Sequence, residues 1–423
     1  MMQLPRYESY KDSGVEWLGE IPEEWNLWQG FKLFKENKNK NSGMIEDTVL
    51  SLSYGRIVIK PEEKLHGLVP ESFEGYQLIE PADTIIRTTD LQNDKTSLRC
   101  GYANDKGIIT SAYLSLKPLG TANPKFTYYV LHAYDLLKVF YGMGSGLRQN
   151  LDFRDFKRMI IPIPESGVQE RIVSFLDKKT AEIDEAIAKK KKLIELLQEQ
   201  KSILINQAVT KGLNPDAPMK DSGVEWIGEI PAHWEVLYNR RIFRENSRKV
   251  TNRHELPLSL SQVDGLIPSK EMKERSLRPA HFNNFKVCLP DDLVVNRFKG
   301  HLGVFFASTH RGIVTFHYGV FEPQKKIETR YYEYLYHTPA YKCIYAGASN
   351  GMTVGLQNLS NQNFYDVKSL VPPINEQEEI VQYVEEIKKE YDSLHLKEMR
   401  QIDLLHEYKQ SLISSAVTGE IKV

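Results

Sequence analysis

Reading a base edge of duplex DNA needs forked donors and amides: arginine suits guanine, and asparagine or glutamine suits adenine. Holding the backbone needs Arg, Lys, Ser, Thr and glycine-rich loops that expose N–H groups. Two segments of this chain supply both. The first is Gly142-Met143-Gly144-Ser145-Gly146-Leu147-Arg148-Gln149-Asn150, with Ser145, Arg148, Gln149 and Asn150 as candidate contacts. The second is Gly347-Ala348-Ser349-Asn350-Gly351-Met352-Thr353-Val354-Gly355-Leu356-Gln357-Asn358, with Asn350, Thr353, Gln357 and Asn358. The competing reading for each is a structural turn whose amides cap the next element. Another pair of candidates is Ser53-Tyr54-Gly55-Arg56 (Tyr54, Arg56) against Ser261-Gln262-Val263-Asp264 (Gln262). A third is Arg87-Thr88-Thr89-Asp90 (Arg87, Thr88) against Asn296-Arg297-Phe298-Lys299 (Arg297, Lys299). These follow strand-like runs, where a loop can face a groove; otherwise they are surface loops with ion-paired arginines.

The sequence offers no matching set of groups for catalysis. It has no GxxxxGK[ST] phosphate loop. It has no Asn/Asp-Pro-Pro-Tyr box of the kind that methylates adenine: Val371-Pro372-Pro373-Ile374 lacks both the polar first residue and the aromatic last one. HExxH and Cys/His metal spacings are missing too. Glu271-Met272-Lys273 is half of a nuclease motif, but such a triplet is common by chance. The three cysteines, Cys100, Cys288 and Cys343, are scattered and odd in number, which reads as structural thiols in a reducing compartment. The expectation is therefore a chain with no catalytic residue, metal or cofactor of its own.

The candidate segments come in pairs because the chain is a duplication. Lys11 to Trp25 reads KDSGVEWLGEIPEEW and Lys220 to Trp234 reads KDSGVEWIGEIPAHW, twelve identities in fifteen at an offset of 209. Four of the five tryptophans, Trp17, Trp25, Trp226 and Trp234, lie in these stretches. Val168-Gln169-Glu170-Arg171-Ile172-Val173 matches Glu376-Gln377-Glu378-Glu379-Ile380-Val381, and Ala208-Val209-Thr210 matches Ala416-Val417-Thr418, both at 208. The stretches near 55–140 and 265–345 align only in patches. A frame that repeats does one job twice, while divergent inserts meet different targets. The tryptophan segments, which do not diverge, are expected to pack each globule on a spacer helix or a partner.

Two kinds of element must position these residues. Short β-branched and aromatic runs such as Arg56-Ile57-Val58-Ile59, Thr84-Ile85-Ile86 and Leu293-Val294-Val295, cut by turn signals, predict a mixed α/β globule in each half. One helical stretch, near Phe126 to Phe140, interrupts the first. Each half then ends in a long helix. Ile172, Leu176, Ile183, Ile187, Ile194, Leu197, Leu204 and Ala208 form one stripe, matched by Ile380, Val384, Tyr391, Ile402, Leu405, Leu412 and Ala416. About 40 residues at ~1.5 Å rise outrun a small domain, so the stripe needs a partner helix, and its own duplicate lying antiparallel is the obvious one. The Lys189-Lys190-Lys191-Lys192 run reads as a solvated face of the first helix.

Composition sets wide bounds. Of 423 residues, 41% are hydrophobic and 26% charged, as in a globular protein, and a net charge of −1 excludes a wholly basic nucleic-acid binder without excluding local basic faces. No run approaches the length of a membrane span and the N-terminus has no apolar signal core, so a cytoplasmic protein is expected.

The KDSGVEW-GEIP-W opening, the P-x-P…Q-E-x-I-V junction and the helix ending in AVT, each present twice and in order, resemble the specificity subunit of type I restriction–modification systems. The resemblance covers nearly the whole chain. It implies a fold of two similar mixed α/β target-recognition domains separated by two long antiparallel spacer helices, with an internal pseudo-twofold repeat. The corresponding boundaries are 1–165 for the first recognition domain, 166–211 for its helix, 212–373 for the second domain and 374–423 for its helix. It also implies a sequence-specific, non-catalytic DNA-binding subunit whose two domains read the halves of a bipartite, asymmetric duplex site. Its expected partners are two modification subunits, carrying S-adenosylmethionine-dependent adenine methylation, and restriction subunits that use ATP with Mg. Two other readings compete: a pure assembly scaffold, which predicts no sequence preference and no steep salt dependence, and a fused enzyme, which the missing motifs disfavour.

Overall fold

The computed structural model describes residues 5–61, 63, 72–94, 96–143, 150–246, 248–250, 255–262, 264–272, 285–349 and 358–423. The chain divides into two compact units, residues 1–191 with 399–423 and residues 192–398, so each unit takes part of both long helices.

In the first unit a four-stranded antiparallel sheet runs in the order Phe34–Glu36, Leu114–Pro118, Thr84–Ile86, Cys100–Tyr102. Thr84, Ile85 and Ile86 are all buried, which is why this central run is continuously β-branched rather than alternating. A hairpin of Leu50–Ser53 and Arg56–Ile59 and three further two-stranded pairs surround it. The helix Pro124–Leu136 starts where Asn123 accepts from the N–H groups of Lys125 and Phe126, with proline in its first turn, and buries Phe126, Val130, Leu131 and Tyr134.

The second unit repeats this strand for strand: Phe243–Glu245, Tyr318–Pro323, Leu293–Asn296, Phe305–Ala307, with a hairpin of Leu258–Ser261 and Gly265–Pro268. The mixed α/β fold expected for each half is thus present in both, with one topology. The helical layer differs between the two units: the first carries the stretch expected near Phe126 to Phe140. The second insert carries two helices, Thr329–Tyr336 and Pro339–Ala348. Tyr331, Tyr332, Tyr336, Tyr341 and Tyr345 fill its core. Their hydroxyls are placed on buried acceptors: Tyr331 donates to the Val209 carbonyl at 2.9 Å and Tyr336 to Asn239 at 3.0 Å.

The long helices are Ser166–Lys211 and Ile374–Thr418. Within the first unit Lys409 pairs with Asp184 at 2.7 Å, and Lys190 donates to Gln401. Numbers rising on one helix meet numbers falling on the other, so the helices are antiparallel there. Within the second unit Lys201 pairs with Asp392 at 2.7 Å. At the repeat offset of 208 this is the Asp184–Lys409 pair with the helices exchanged. The stripe residues Ile172, Leu176, Ile183 and Ile187 are buried in the first unit, as are Ile380 and Val384 in the second. Lys189 and Lys192 pair with Glu185 and Glu195 of their own helix, as a solvated face should. Among the described residues no helix is long and apolar enough to cross a membrane.

The duplicated tryptophan segments seat helix ends. Trp25 and Trp234 are almost fully buried. A Cβ built on Gly419 would meet Pro22 and Trp25, and one on Gly212 would meet Trp234 and Glu376. Tyr10 Oη also donates to the Gly419 carbonyl at 3.1 Å. This is the packing role expected of segments that did not diverge.

One turn of the frame yields a test. Asp83 Oδ2 accepts from the Glu80 N–H at 3.1 Å, and Asp292 Oδ2 from the Leu289 N–H at 2.8 Å. Asp292 also has Arg248 at 2.6 Å, whereas Asp83 Oδ1 is buried without a hydrogen-bond partner. Burial pushes the Asp83 carboxyl up to about 6. Because the folded value lies above the unfolded one, the stability Asp83 contributes is complete below pH 4 and is lost as pH rises through 6. Asp83→Asn should therefore gain roughly 3 kcal/mol more over the parent at pH 7.5 than at pH 4. Burial lowers His132 to about 4, which gives an opposite slope in the same window. The test is thus the difference between variant and parent, read by urea unfolding with hydrogen exchange on first-unit peptides. An equal offset at both pH values refutes it.

Candidate nucleic-acid interface

The hairpin of the first unit ends in a two-residue turn closed by the Ser53–Arg56 pair. Tyr54 and Gly55 both lie in the left-handed region, at φ 49° and 76°, the pattern of a type I′ turn. Glycine accepts this freely, but a tyrosine there costs about 1–2 kcal/mol. The ring recovers little of that by packing, since Tyr54 is 93% exposed. A strained, unburied aromatic at a hairpin tip is a candidate contact for a ligand. Arg56, the next residue, reaches Asp184 on the first long helix. In the second unit the equivalent tip is one residue longer, closed by Ser261 and Gly265, and carries exposed Gln262 and Asp264. Ser261 Oγ lies 3.0 Å from the Asp264 carboxylate.

The Arg87–Asp90 segment folds inward. Arg87 pairs with Asp94 at 3.0 Å. The Ser97 and Thr96 N–H groups, with Arg87, hold the Asp94 carboxyl well below the usual carboxylate range. Thr88 is buried. The segment winds round a residue the sequence did not single out, Arg99, which is fully buried. Arg99 donates to the carbonyls of Thr89 at 2.7 Å, Asp90 at 3.1 Å and Arg87 at 3.3 Å, and to Tyr141 Oη at 3.1 Å. Its own N–H and that of Cys100 point at Asp135, a carboxyl that burial raises. Its sequence signal is slight: a lone charge between Leu98 and Cys100, directly before the strand Cys100–Tyr102.

Arg297 is likewise taken up, by Glu245 at 2.6 Å and by Asn361, with Lys286 on the same carboxylate at 3.0 Å. Arg87, Thr88 and Arg297 are thus engaged within their own unit: Arg87 with Asp94, Arg297 with Glu245, and Thr88 by burial. Lys299, in contrast, is exposed.

The third loop and the end of the glycine-rich segment meet in each unit. Leu151 donates to the Thr88 carbonyl at 3.0 Å, and its repeat equivalent Leu359 donates to the Arg297 carbonyl at 2.9 Å. These bonds place exposed Asn150 and Asn358 beside the third loop. Ser145, Arg148, Gln149, Asn350, Thr353 and Gln357 lie outside the described residues. The described candidates left accessible are Tyr54, Arg56 and Asn150 in one unit and Gln262, Lys299 and Asn358 in the other. Among the described residues no group of three or more His, Cys, Asp or Glu could hold a metal ion.

A family model described as the type I restriction modification DNA specificity domain matches residues 29–196 and 281–403, about two thirds of the chain. One similar solved chain comes from work on complex assembly and conformational transition of the type I R-M system. It is 13% identical, with a TM-score of 0.65, over 94% of this chain and 98% of that one. The HsdS subunit from Thermoanaerobacter tengcongensis is also similar, with 13% identity, a TM-score of 0.53 and coverage of 95% and 98%. At such identities the likeness is one of fold. No curated protein matches the chain.

Proposed function

This chain belongs to the type I restriction–modification DNA specificity family, and from that premise we propose that it is a non-catalytic subunit whose two domains each read one half of a split, asymmetric duplex site. The observation that carries the proposal is the contrast between frame and tips. Strand order, helix-end seats and the helix ion pair occur twice. The exposed tips do not: the first carries Tyr54 and Arg56, and the second, one residue longer, carries Gln262 and Asp264. Equal readers would suit a palindrome, whereas readers differing in charge and aromatic character suit unlike half-sites. Tyr54, Arg56, Arg148, Gln149, Asn150, Gln262, Lys299, Gln357 and Asn358 are the residues on which this reading places the contacts.

In the same reading the long helices set the gap between half-sites and dock two modification subunits. Leu196 and Leu404, equivalent at the offset of 208, are each about half exposed, one per helix, which fits two copies of one partner. Adenine methylation with S-adenosylmethionine, and ATP- and Mg-dependent cleavage, would then reside in modification and restriction subunits. The similar chain from a type I R-M assembly supports such partners.

Methylome mapping in cells that carry this chain with its partners tests the proposal. Exchanging residues 1–165 for those of another such chain should change one half of the methylated target and leave the other intact. Adding whole helical turns to one long helix should lengthen the gap. A change in both halves, or an unchanged gap, defeats the corresponding part of the reading. A complex whose DNA affinity ignores both sequence and salt favours the scaffold instead.

A further inference from the structure

We infer that Asp184, on the first long helix, is a positioning residue for DNA reading by the first domain: it ties the Tyr54 hairpin to the helix pair through Arg56. This inference rests on the proposal that the hairpin meets DNA.

One carboxylate joins three distant stretches of the first unit. Asp184 accepts from the Lys409 ammonium at 2.7 and 2.8 Å, and from the Arg56 guanidinium. Arg56 lies 128 residues from it in sequence and Lys409 lies 225. The duplicate in the second unit provides a built-in comparison. Asp392 pairs with Lys201 as Asp184 does with Lys409. In that unit the residue that closes the turn opposite Ser261, as Arg56 does opposite Ser53, is Gly265, which has no side chain to reach Asp392. Among the described residues the helix pair is therefore clamped alike in both units, and the hairpin strap through an arginine occurs in the first.

The strap acts where orientation matters. A two-stranded hairpin is marginally stable by itself and owes its aim to what it packs on. Arg56 directly follows the turn and faces Ser53 across it, so an anchor there fixes the tip that carries Tyr54. The pair is largely exposed, with Arg56 63% and Asp184 34% accessible, and such pairs add little to global stability. Its consequence falls on where the exposed ring stands. Released from Asp184, Arg56 would be free to meet any phosphate, trading sequence preference for non-specific attraction.

The test uses the assembled complex with its modification partners and the duplex identified by methylome mapping. Binding is measured against competitors altered in one half-site at a time. Asp184→Asn is expected to reduce discrimination at the first half-site about three- to fivefold, the scale of a surface pair. Discrimination at the second should not change, and the salt dependence should stay equal or become steeper. Asp184→Glu should restore most of the loss. Asp392→Asn, which removes only the twin helix pair, should leave both half-sites as they were. The inference is overturned if Asp184→Asn and Asp392→Asn behave alike, or if Asp184→Asn weakens both half-sites together. Tyr54→Ala separates the two layers. If it leaves first-half-site reading intact, the hairpin does not meet DNA and the proposed contact fails. If it loosens that reading while Asp184→Asn does not, the contact stands and the positioning role falls.

Discussion

Replacing Arg99 by methionine is expected to destabilise the first unit by about 3–5 kcal/mol and to leave the second unit folded. Methionine is long and apolar enough to fill much of the space, so the loss is mainly polar. The carbonyls of Arg87, Thr89, Asp90 and Asp94 would lose their common donor inside the domain. Asp135 would lose the nearby guanidinium that helps hold its carboxyl down against burial. The segment that depends on Arg99 runs from Arg87 to Asp94, and Leu151 at the end of the glycine-rich stretch hangs on it through Thr88. Reading of the first half-site should therefore disappear well before the domain unfolds globally. Val304 occupies the matching position in the second unit, directly before the edge strand, so nothing equivalent is lost there. Hydrogen exchange of the intact chain reads both outcomes, from the Thr84–Ile86 peptide and the Leu293–Asn296 peptide. Unchanged protection of the first would show that the loop does not need its arginine.

Arg99 also shows which kinds of fact a sequence carries. The long helices were legible because a stripe of period 3.6, unbroken by proline or glycine, repeats its message over some forty residues. Their antiparallel pairing followed because each stripe needs a partner and the duplicate is the obvious one. The sheets were legible in kind but not in pairing. Their strands are three to six residues long, and Phe34–Glu36 finds its neighbour at Leu114–Pro118, across an intervening hairpin and four other strands. The tyrosines of the second unit read only as aromatic content. Their helical core depends on acceptors such as Asn239 and the Val209 carbonyl, 97 and 122 residues distant. The candidate site divided along the same line. Arg87 and Arg297 had the right chemistry for a base edge. The structure assigns them to Asp94 and Glu245, and donor type cannot distinguish an arginine facing solvent from one already satisfied. Tyr54 at an exposed turn was legible because Tyr-Gly after a strand-like run is a local signal, and the backbone strain there is local too.

The helix-end seats yield the second large effect. Gly419→Val is expected to cost about 3 kcal/mol or more, and Gly212→Val distinctly less, although each glycine directly follows the last residue of its long helix, with φ of 82° and 76°. Both substitutions carry the left-handed penalty of about 1–2 kcal/mol, increased by β-branching. The surroundings then separate them. A Cβ on Gly419 would fall 2.3 Å from Pro22 Cδ, an atom in a rigid ring within the strand Glu20–Pro22. A Cβ on Gly212 would meet the tip of Glu376 at 2.9 Å, a flexible carboxylate that can swing away, and the Trp234 ring at 3.3 Å, a tight contact that a shift of a few tenths of an ångström relieves. At Gly419 the protein must move the Pro22–Trp25 stretch or release the helix end. Release uncovers Trp25 together with Ala416 and Val417, which are buried. Hydrogen exchange in Tyr10–Asp12 and in the last helical turn should rise sharply for Gly419→Val, and the corresponding peptides should change only modestly for Gly212→Val. Alanine at each position keeps most of the φ penalty and the Cβ contact while removing the branch. The order Gly419 above Gly212 should therefore persist with alanine if the Pro22 contact, and not the branched side chain, is the cause. Equal losses at the two sites would mean that the tryptophan motif tolerates a displaced helix end. The motif's near-identity in the two halves would then need a different physical reason from the seat described here.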